Sequence, residues 1–170
     1  MSLIRTVIYE AFKHGGEIIR TNIKKKKRVH HKSPIDLLTT TDKKVEKTII
    51  KLVREKFPTH SILAEESGLS GDKKTIAHDR HASYKWIIDP IDGTTNFYHS
   101  FPHASISIAV EKDGDIIAGG VYDPLKDELF YAEKGKGARL NGKKIFVSST
   151  PKLSDALLVT GFPYDRREKA

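Results

Sequence analysis

The chain changes its hydrophobic periodicity once, and this change limits the folds that it can adopt. Up to about residue 57 the apolar residues recur every three or four positions, as in amphipathic helices. From residue 103 onward they alternate with polar residues, as in strands with one buried face. We therefore predict an α+β fold, with helices at about 3–23 and 42–57 packed on a mostly antiparallel sheet within about 61–160.

Turn residues place the connections between these elements. Asp113-Gly114 and Asn141-Gly142 are dipeptides typical of two-residue hairpin turns, so each predicts a β-hairpin. Pro58 closes the second helix, because proline cannot continue it. Polar residues predict a connection at 24–32 and a mobile loop at 67–84. Further short strands are predicted at residues 61–64, 85–88, 128–133 and 156–160.

Composition excludes several classes of protein. The 170 residues suffice for about one domain, and 38% hydrophobic with 31% charged residues is typical of soluble globular chains. No apolar run approaches the ~18 residues of a membrane span, and the N-terminus does not resemble a signal peptide. Because the chain has no cysteine, disulfides, thiolate zinc sites and cysteine nucleophiles are excluded. We expect a cytoplasmic protein without a membrane partner.

Positive charge is concentrated near the N-terminus. Residues 1–32 hold nine Lys or Arg and two Glu, a net of +7, whereas the whole chain has a formal net charge of +8. The excess is centred on Lys24–Arg28, and a solvated basic loop is the simpler interpretation of this run. The alternative is a nucleic acid or a transcription complex that binds residues 24–32, with a steep salt dependence.

One segment carries residues suited to metal and phosphate chemistry. Asp89 and Asp92 directly follow a predicted strand, and two carboxylates at this spacing in a tight turn can converge on one point with the Ile91 carbonyl between them. These hard oxygen ligands suit Mg²⁺ better than zinc. Gly93 permits a close backbone approach, and a helix that begins near Thr94 can bind phosphate through its free amides. An ordinary strand end with an Asp-Gly turn and a helix cap is the competing interpretation.

Two further acidic positions are candidates for the same site. Glu65 and Glu66 follow the predicted strand 61–64, and because adjacent side chains diverge at a strand end, only one of them is expected to join a site. Asp42 begins the second predicted helix, where the helix dipole favours an acid. A solvated loop acid and a helix-terminal acid are the simpler interpretations of these positions.

Taken together, the motifs resemble the inositol monophosphatase family of magnesium-dependent, lithium-sensitive phosphatases. The matching segments are TTTDKKVE at 39–46, AEES at 64–67, WIIDPIDGTTNF at 86–97, FPHASISIAV at 101–110, GGVYDPLKDELFYAEKGKGARLNGKKIFVS at 119–148 and a later LLVTGFPY. The resemblance covers essentially the whole chain. It implies the N-terminal half of the family's αβαβα sandwich, a homodimer, and hydrolysis of inositol-1-phosphate or a related sugar phosphate by a metal-activated water.

The resemblance implies a set of metal ligands. Glu65, Asp89 and the Ile91 carbonyl would hold a first Mg²⁺, and Asp89 would bridge to a second that it shares with Asp92. Two or three ions are expected in the intact family site. The family's W-D-x-A-A-G motif, whose Asp completes the second metal site, has no counterpart in the 170 residues. We expect a chain that lacks the C-terminal domain and is inactive or impaired by itself.

The resemblance also implies the groups that act on substrate. Thr94, with Glu65, would position or deprotonate the attacking water, and Asp42 would hydrogen-bond Thr94 and orient it. The amides of Gly93 and Thr94 would bind phosphate oxygens of a small-molecule phosphate ester. A broader sugar-phosphate specificity, including fructose-1,6-bisphosphate, is an alternative that the sequence leaves open.

Overall fold

Helices and short strands account for most of the chain in the computed structural model, which describes residues 2–25, 29–33, 36–70 and 84–160. The helices are α1 (Leu3–Asn22), α2 (Thr40–Lys56) and α3 (Thr94–Tyr98). The strands are β1 (Val29–Ser33), β2 (Asp36–Thr39), β3 (Ser61–Ala64), β4 (Gly68–Ser70), β5 (Tyr84–Asp92), β6 (Ser105–Lys112), β7 (Asp115–Asp123), β8 (Glu128–Glu133), β9 (Gly137–Leu140) and β10 (Lys143–Ile145). A single 3₁₀ turn spans Leu153–Asp155.

Eight strands form one mixed sheet. Their order is β10-β9-β8-β7-β6-β5-β3-β4, and β1 and β2 form a separate two-stranded sheet. Within the described strands, β3 and β5 are the one parallel pair, while every other neighbouring pair is antiparallel. The predicted α+β class with a mostly antiparallel sheet is therefore confirmed. The parallel pair carries the ends of β3 and β5 to the same edge of the sheet.

The hydrophobic core lies between the two long helices and one face of this sheet. Each helix buries one apolar stripe, as its periodicity predicts, and the inward residues of the central strands face these stripes. The fully buried side chains at this interface include Val7, Ile8, Phe12, Ile19, Val45, Ile49, Val53, Trp86, Ile106 and Val110.

Two glycines let α1 lie unusually close to the sheet. A Cβ at Gly15 would stand 2.7 Å from the Cδ1 atom of Ile106, and a Cβ at Gly16 would stand 2.5 Å from the Tyr122 ring. These distances are shorter than carbon atoms tolerate, so only glycine fits without a shift of its neighbours. The Gly-Gly pair that interrupts the helical pattern in the sequence is thus a packing feature of an unbroken helix.

Both hairpins that the turn dipeptides predict are present in the structure. Asp113 and Gly114 have φ values of 53° and 89°, and Asn141 and Gly142 have φ values of 48° and 80°. These left-handed pairs match the right-handed twist of the flanking strands, which is why such dipeptides predict two-residue hairpins. The structure has the β6–β7 and β9–β10 hairpins at these positions.

Three predictions on local structure are wrong, two of them in the part of the segment that the structure describes. The predicted connection at 24–32 contains β1, which pairs with β2. The predicted mobile loop at 67–84 begins with β4, while residues 71–83 lie outside the described part of the chain. The predicted strand at 156–160 is absent, because these residues pair with no strand among those described. Leu157 and Val159 are 96% and 94% exposed there.

The second face of the sheet carries no helix among the described residues. Val121 on β7, Phe130 on β8 and Ile145 on β10 point to this face and are 40%, 39% and 36% exposed. Small residues on the same strands leave an open apolar depression of about 370 Å³ between them. None of the described helices is both long and apolar enough to cross a membrane.

Candidate functional site

The start of α2 positions the first component of the site. Thr39 is the N-cap, and its hydroxyl accepts hydrogen bonds from the Thr41 and Asp42 amides. The Asp42 carboxylate in turn accepts from the Thr39 amide at 3.0 Å and from the Thr39 hydroxyl, which completes a capping box. The helix therefore begins two residues earlier than predicted, and Asp42 is held in its first turn.

Asp42 reaches from this cap to Thr94. Its second carboxylate oxygen, Oδ1, accepts a hydrogen bond from the Thr94 hydroxyl at 3.0 Å. Only 1% of Asp42 is exposed, and burial raises the pKa of its carboxyl, while the hydrogen bonds from Thr39 and Thr94 oppose this rise. The Ile91 carbonyl also lies 2.9 Å from the Thr94 hydroxyl. Because a hydroxyl has one proton, Thr94 donates to one of these two oxygens at a time.

The end of β5 positions the second component. The strand continues to Asp92 instead of ending in the predicted tight turn after Ile88, and its register with β6 shifts between Asp89 and Asp92. Such an irregularity turns side chains away from the regular alternation of a strand. Ile91 is buried at 1% exposure, whereas the Asp92 side chain faces solvent.

Asp89 lies among other acids. Burial raises the pKa of its carboxyl to about 7, and Glu65 and Asp92 add to the rise, Glu65 through both its charge and a hydrogen bond. The Oδ1 atom of Asp89 is buried without a hydrogen-bond partner. A buried carboxylate oxygen in this state is costly unless a proton or a cation compensates it.

These acidic side chains are not arranged as a complete metal-binding site. Over the ranges that the structure describes, no three His, Cys, Asp or Glu side chains are arranged to hold an ion. The donor set nevertheless fits a hard divalent cation, because Asp89 offers an unpartnered buried oxygen and its neighbours Glu65 and Asp92 are carboxylates. The exposed Asp92 side chain is free of the packing that would prevent it from turning toward such an ion.

Gly93 and α3 border the same edge. Gly93 adopts a left-handed conformation with φ 92° at the start of α3, and a Cβ there would lie 2.9 Å from the His103 carbonyl oxygen. Any other residue would be strained at this φ value, and its Cβ atom would lie too close to the His103 carbonyl oxygen. Asp92, Gly93 and Asn96 also line a polar cavity of about 130 Å³, which Ser105 and Asp123 close on the side of β6 and β7.

The two adjacent glutamates after β3 make different contacts. The Glu65 amide donates to the Ile88 carbonyl at 3.1 Å, and the Glu65 side chain lies beside Asp89. The Glu66 amide donates instead to the Glu46 carboxylate at 2.8 Å. The roles of Glu46 and Thr39 were not predicted from the sequence. Both carried a signal, since T-x-x-D is a capping box and Glu46 shares the helix face of Asp42.

The basic run lies apart from these acids in the sequence, and little of it is described. Lys24 and Lys25 are exposed after the end of α1, and residues 26–28 lie outside the described part of the chain. The alternative that a nucleic acid or a transcription complex binds residues 24–32 stays a hypothesis.

A mixed sheet with a helix pair on one face, and with a group of carboxylates and a left-handed glycine at the end of its central strand, defines an α+β protein with an acidic site at that strand end. The family model for the inositol monophosphatase family matches residues 1–170. The chain belongs to this family, and the sequence-based identification is confirmed.

Similar proteins agree with this assignment. The chain is 42% identical to inositol monophosphatase 1 of Rattus norvegicus over 156 residues, which cover 91% of the chain and 55% of that protein. It is 44% identical over 154 residues to inositol monophosphatase 3 of Solanum lycopersicum, with 91% of the chain and 56% of that protein covered.

Solved structures show the same fold. The inositol monophosphatase from Anabaena (Nostoc) sp. PCC 7120 matches with a TM-score of 0.79 and 38% identity, over 98% of this chain and 59% of that one. The extragenic suppressor protein suhB from Bartonella henselae matches with a TM-score of 0.79 and 34% identity, over 87% and 55%. The chain thus spans about half the length of the relatives that it matches.

Proposed function

We propose that the protein is part of a Mg²⁺-dependent phosphomonoesterase that hydrolyses inositol-1-phosphate or a related sugar phosphate. The observation that carries the proposal is the meeting of two components at one edge of the sheet. One is the acid group around the unpartnered Asp89 oxygen, and the other is the Thr94 hydroxyl held by Asp42. Names of similar proteins point to the same reaction.

Glu65, Asp89 and the Ile91 carbonyl would hold the first ion, and Asp92 would share a second with Asp89. A bound divalent ion supplies Lewis-acid stabilisation of the charge that develops on a transferring phosphoryl group. The side chains support this use, because they offer only oxygen ligands, and Mg²⁺ prefers oxygen. The ligand expected from the W-D-x-A-A-G motif is not among the 170 residues, so the second ion should bind weakly to this chain.

Thr94 would orient the attacking water, and Asp42 would orient Thr94. Asp42 is well placed for this, because Thr39 binds one of its oxygens and leaves the other for Thr94. When Thr94 donates to Asp42, its oxygen lone pairs can accept a hydrogen bond from the attacking water. Glu65, which is exposed at the end of β3, would take the proton that this water loses as general base.

Gly93 and Thr94 would contact the phosphate through their amides. The left-handed Gly93 brings the backbone to the edge of the site without a side chain. The adjoining polar cavity of about 130 Å³ is lined by Asp92 and Asn96, and it has room for several water molecules or for a hydroxyl-bearing part of the substrate. Which sugar phosphate is preferred, and whether the chain forms a homodimer, stay predictions.

The proposal is tested by phosphate release from inositol-1-phosphate. The wild-type chain and Asp89→Asn are assayed with Mg²⁺, with and without lithium, and with fructose-1,6-bisphosphate as a second substrate. We expect slow release that requires Mg²⁺, is inhibited by lithium and disappears in Asp89→Asn. Mg²⁺ binding without turnover would identify a half-site that needs the rest of the family fold. Release that survives Asp89→Asn, or neither release nor Mg²⁺ binding, would overturn the proposal.

A further inference from the structure

A second buried acid on α2 has no place in the mechanism above. Glu46 is 4% exposed, although it is an acidic residue, and it lies in a helix whose neighbouring Val45 and Ile49 belong to the core. Burying a carboxylate is unfavourable unless it gains a specific partner. Its partner is a backbone amide, because Glu46 Oε2 accepts from the Glu66 N–H at 2.8 Å.

This hydrogen bond fastens the loop that carries Glu65. The amide of Glu65 donates to the Ile88 carbonyl at 3.1 Å, and the next amide along the chain, that of Glu66, donates to Glu46. Two consecutive amides are therefore fixed, one by β5 and one by α2. The Cα atom of Glu65 lies between these two amide nitrogens. The Ile88 carbonyl that accepts from Glu65 belongs to the residue directly before Asp89.

Asp42 and Glu46 are one helical turn apart on the same face of α2. Asp42 holds Thr94, which follows β5, and Glu46 holds the loop that follows β3. A single rigid helix thus contacts both components of the site.

We propose that Glu46 is a positioning residue, which sets the Glu65 carboxylate against Asp89 through the Glu66 amide. The proposal rests on the proposed function, because Glu65 and Asp89 are there the shared ligands of a divalent cation. Removing a group that orients a metal ligand commonly weakens metal binding 10- to 100-fold. The position of the acceptor oxygen, and not the charge of Glu46, is the property that the site uses.

Two conservative variants separate position from charge. Glu46→Gln removes the charge and keeps an acceptor oxygen at the same distance along the side chain. Glu46→Asp keeps the charge and withdraws the acceptor by about one C–C bond, about 1.5 Å. Lys43→Ala, at an exposed position of the same helix, is the control. Each protein is titrated with Mg²⁺ by calorimetry, and exchange of the Glu66 amide is followed by NMR.

We expect Glu46→Gln and Lys43→Ala to bind Mg²⁺ within about 3-fold of the wild type and to keep a protected Glu66 amide. Glu46→Asp should expose that amide and weaken Mg²⁺ binding about 10-fold or more. Both variants keep a polar group of similar size and are expected to fold. Urea unfolding identifies a variant that does not fold, and the remaining variant then decides the outcome. Loss of Mg²⁺ binding in Glu46→Gln would overturn the positioning role of Glu46, and so would unchanged Mg²⁺ binding in Glu46→Asp.

Failure of the proposed function gives a different result. In that case the wild type itself shows no Mg²⁺ binding, or its binding is unchanged in Asp89→Asn, and the role of Glu46 falls with it. If Asp89→Asn abolishes binding while Glu46→Asp exchanges the Glu66 amide freely and still binds Mg²⁺ as the wild type does, the function stands and the positioning role is overturned.

Discussion

Single hydrogen bonds connect the start of α2 to the site. Thr39 contributes most of them, because its hydroxyl both caps the helix and donates to the carboxylate that holds Thr94. Its side chain is fully buried, so water cannot replace the lost partners.

Thr39→Ala should lower the free energy of unfolding by about 2 kcal/mol, the combined effect of a lost N-cap and of a buried carboxylate with one donor fewer. Urea denaturation measures this change. Thr40→Ala is the matched control, because Thr40 is the exposed neighbour at the same helix end and should change stability by less than about 0.5 kcal/mol. Equal effects of the two substitutions would refute the role of the Thr39 side chain.

His60 makes stability depend on pH. Its ring lies between Phe57 and Tyr84, with ring centroids 4.5 and 4.6 Å away, and its Nδ1 atom accepts a hydrogen bond from Trp86 Nε1 at 3.0 Å. Burial lowers the pKa of the His60 imidazole, and a protonated Nδ1 could not accept from Trp86.

Because the folded-state pKa is depressed, the unfolded state binds more protons as the pH falls below about 6.5, the ordinary value for histidine. The contribution of His60 to stability should therefore be present above this pH and be lost progressively below it. Urea unfolding at pH 8 and pH 5.5 tests this, with His60→Gln as a non-titrating acceptor. We expect a smaller acid-induced loss of stability in His60→Gln than in the wild type, and the same loss in both would contradict the assignment.

At the scale of elements, α1 depends on its glycine pair. The Tyr122 ring that a Cβ at Gly16 would meet cannot easily move, because Arg20 donates to its hydroxyl at 2.8 Å and this hydroxyl donates to Asp127 at 2.8 Å. An added methyl group must therefore displace the helix from the sheet.

Gly16→Ala should destabilise the protein by about 1–3 kcal/mol through overpacking, although alanine favours a helix by about 1 kcal/mol over glycine. His14→Ala, two residues earlier on the exposed face of α1, should be neutral or slightly stabilising. Thermal unfolding of both variants measures the difference. A Gly16→Ala protein as stable as the wild type would show that helix and sheet are packed less closely than described.

Local chemistry explains which elements the sequence predicts well. The Asp113-Gly114 and Asn141-Gly142 turns follow from dihedral preferences of the dipeptides themselves, and α1 and α2 follow from long apolar stripes. β1 was missed because the residues around it are basic and polar, and its partner β2 lies only a few residues away. The predicted strand 156–160 has the right apolar residues, but a strand also needs a neighbour to pair with.

The sequence predicts only the part of the site whose residues are close together along the chain. Asp89, Asp92 and Gly93 lie in one short motif, so their proximity follows from spacing alone. The contact of Asp42 with Thr94 spans 52 positions and was inferred from the family resemblance, because no local pattern encodes it. Glu46 was overlooked because a helix pattern does not reveal that a buried acid binds a backbone amide in another element.

The whole molecule has one covered and one open sheet face. The open face presents Val121, Phe130 and Ile145, and the exposed residues Phe146 and Val147 continue beyond β10. An apolar surface of this kind attracts apolar ligands and favours self-association.

Phe130→Lys should lower the fluorescence of a bound hydrophobic dye and raise the concentration at which the chain self-associates, because a charge replaces the aromatic ring in the middle of the open face. Leu3→Lys, at an exposed apolar position of α1 that is 53% accessible and lies away from the open sheet face, is the control and should change neither quantity appreciably. Dye titration and light scattering measure the two effects. Equal behaviour of the two variants would argue against an adhesive sheet face.

Calorimetric titration of the 170-residue chain with Mg²⁺ tests the central claim most directly, since it does not depend on turnover. Asp89→Asn is compared with Asp115→Asn, which removes an acid with a 71% exposed side chain outside the site. The buried, unpartnered Asp89 oxygen predicts saturable binding that weakens about 10-fold or more in Asp89→Asn and is unchanged in Asp115→Asn. Absence of binding in the wild type, or equal affinity in all three proteins, would contradict a metal site at the end of β5.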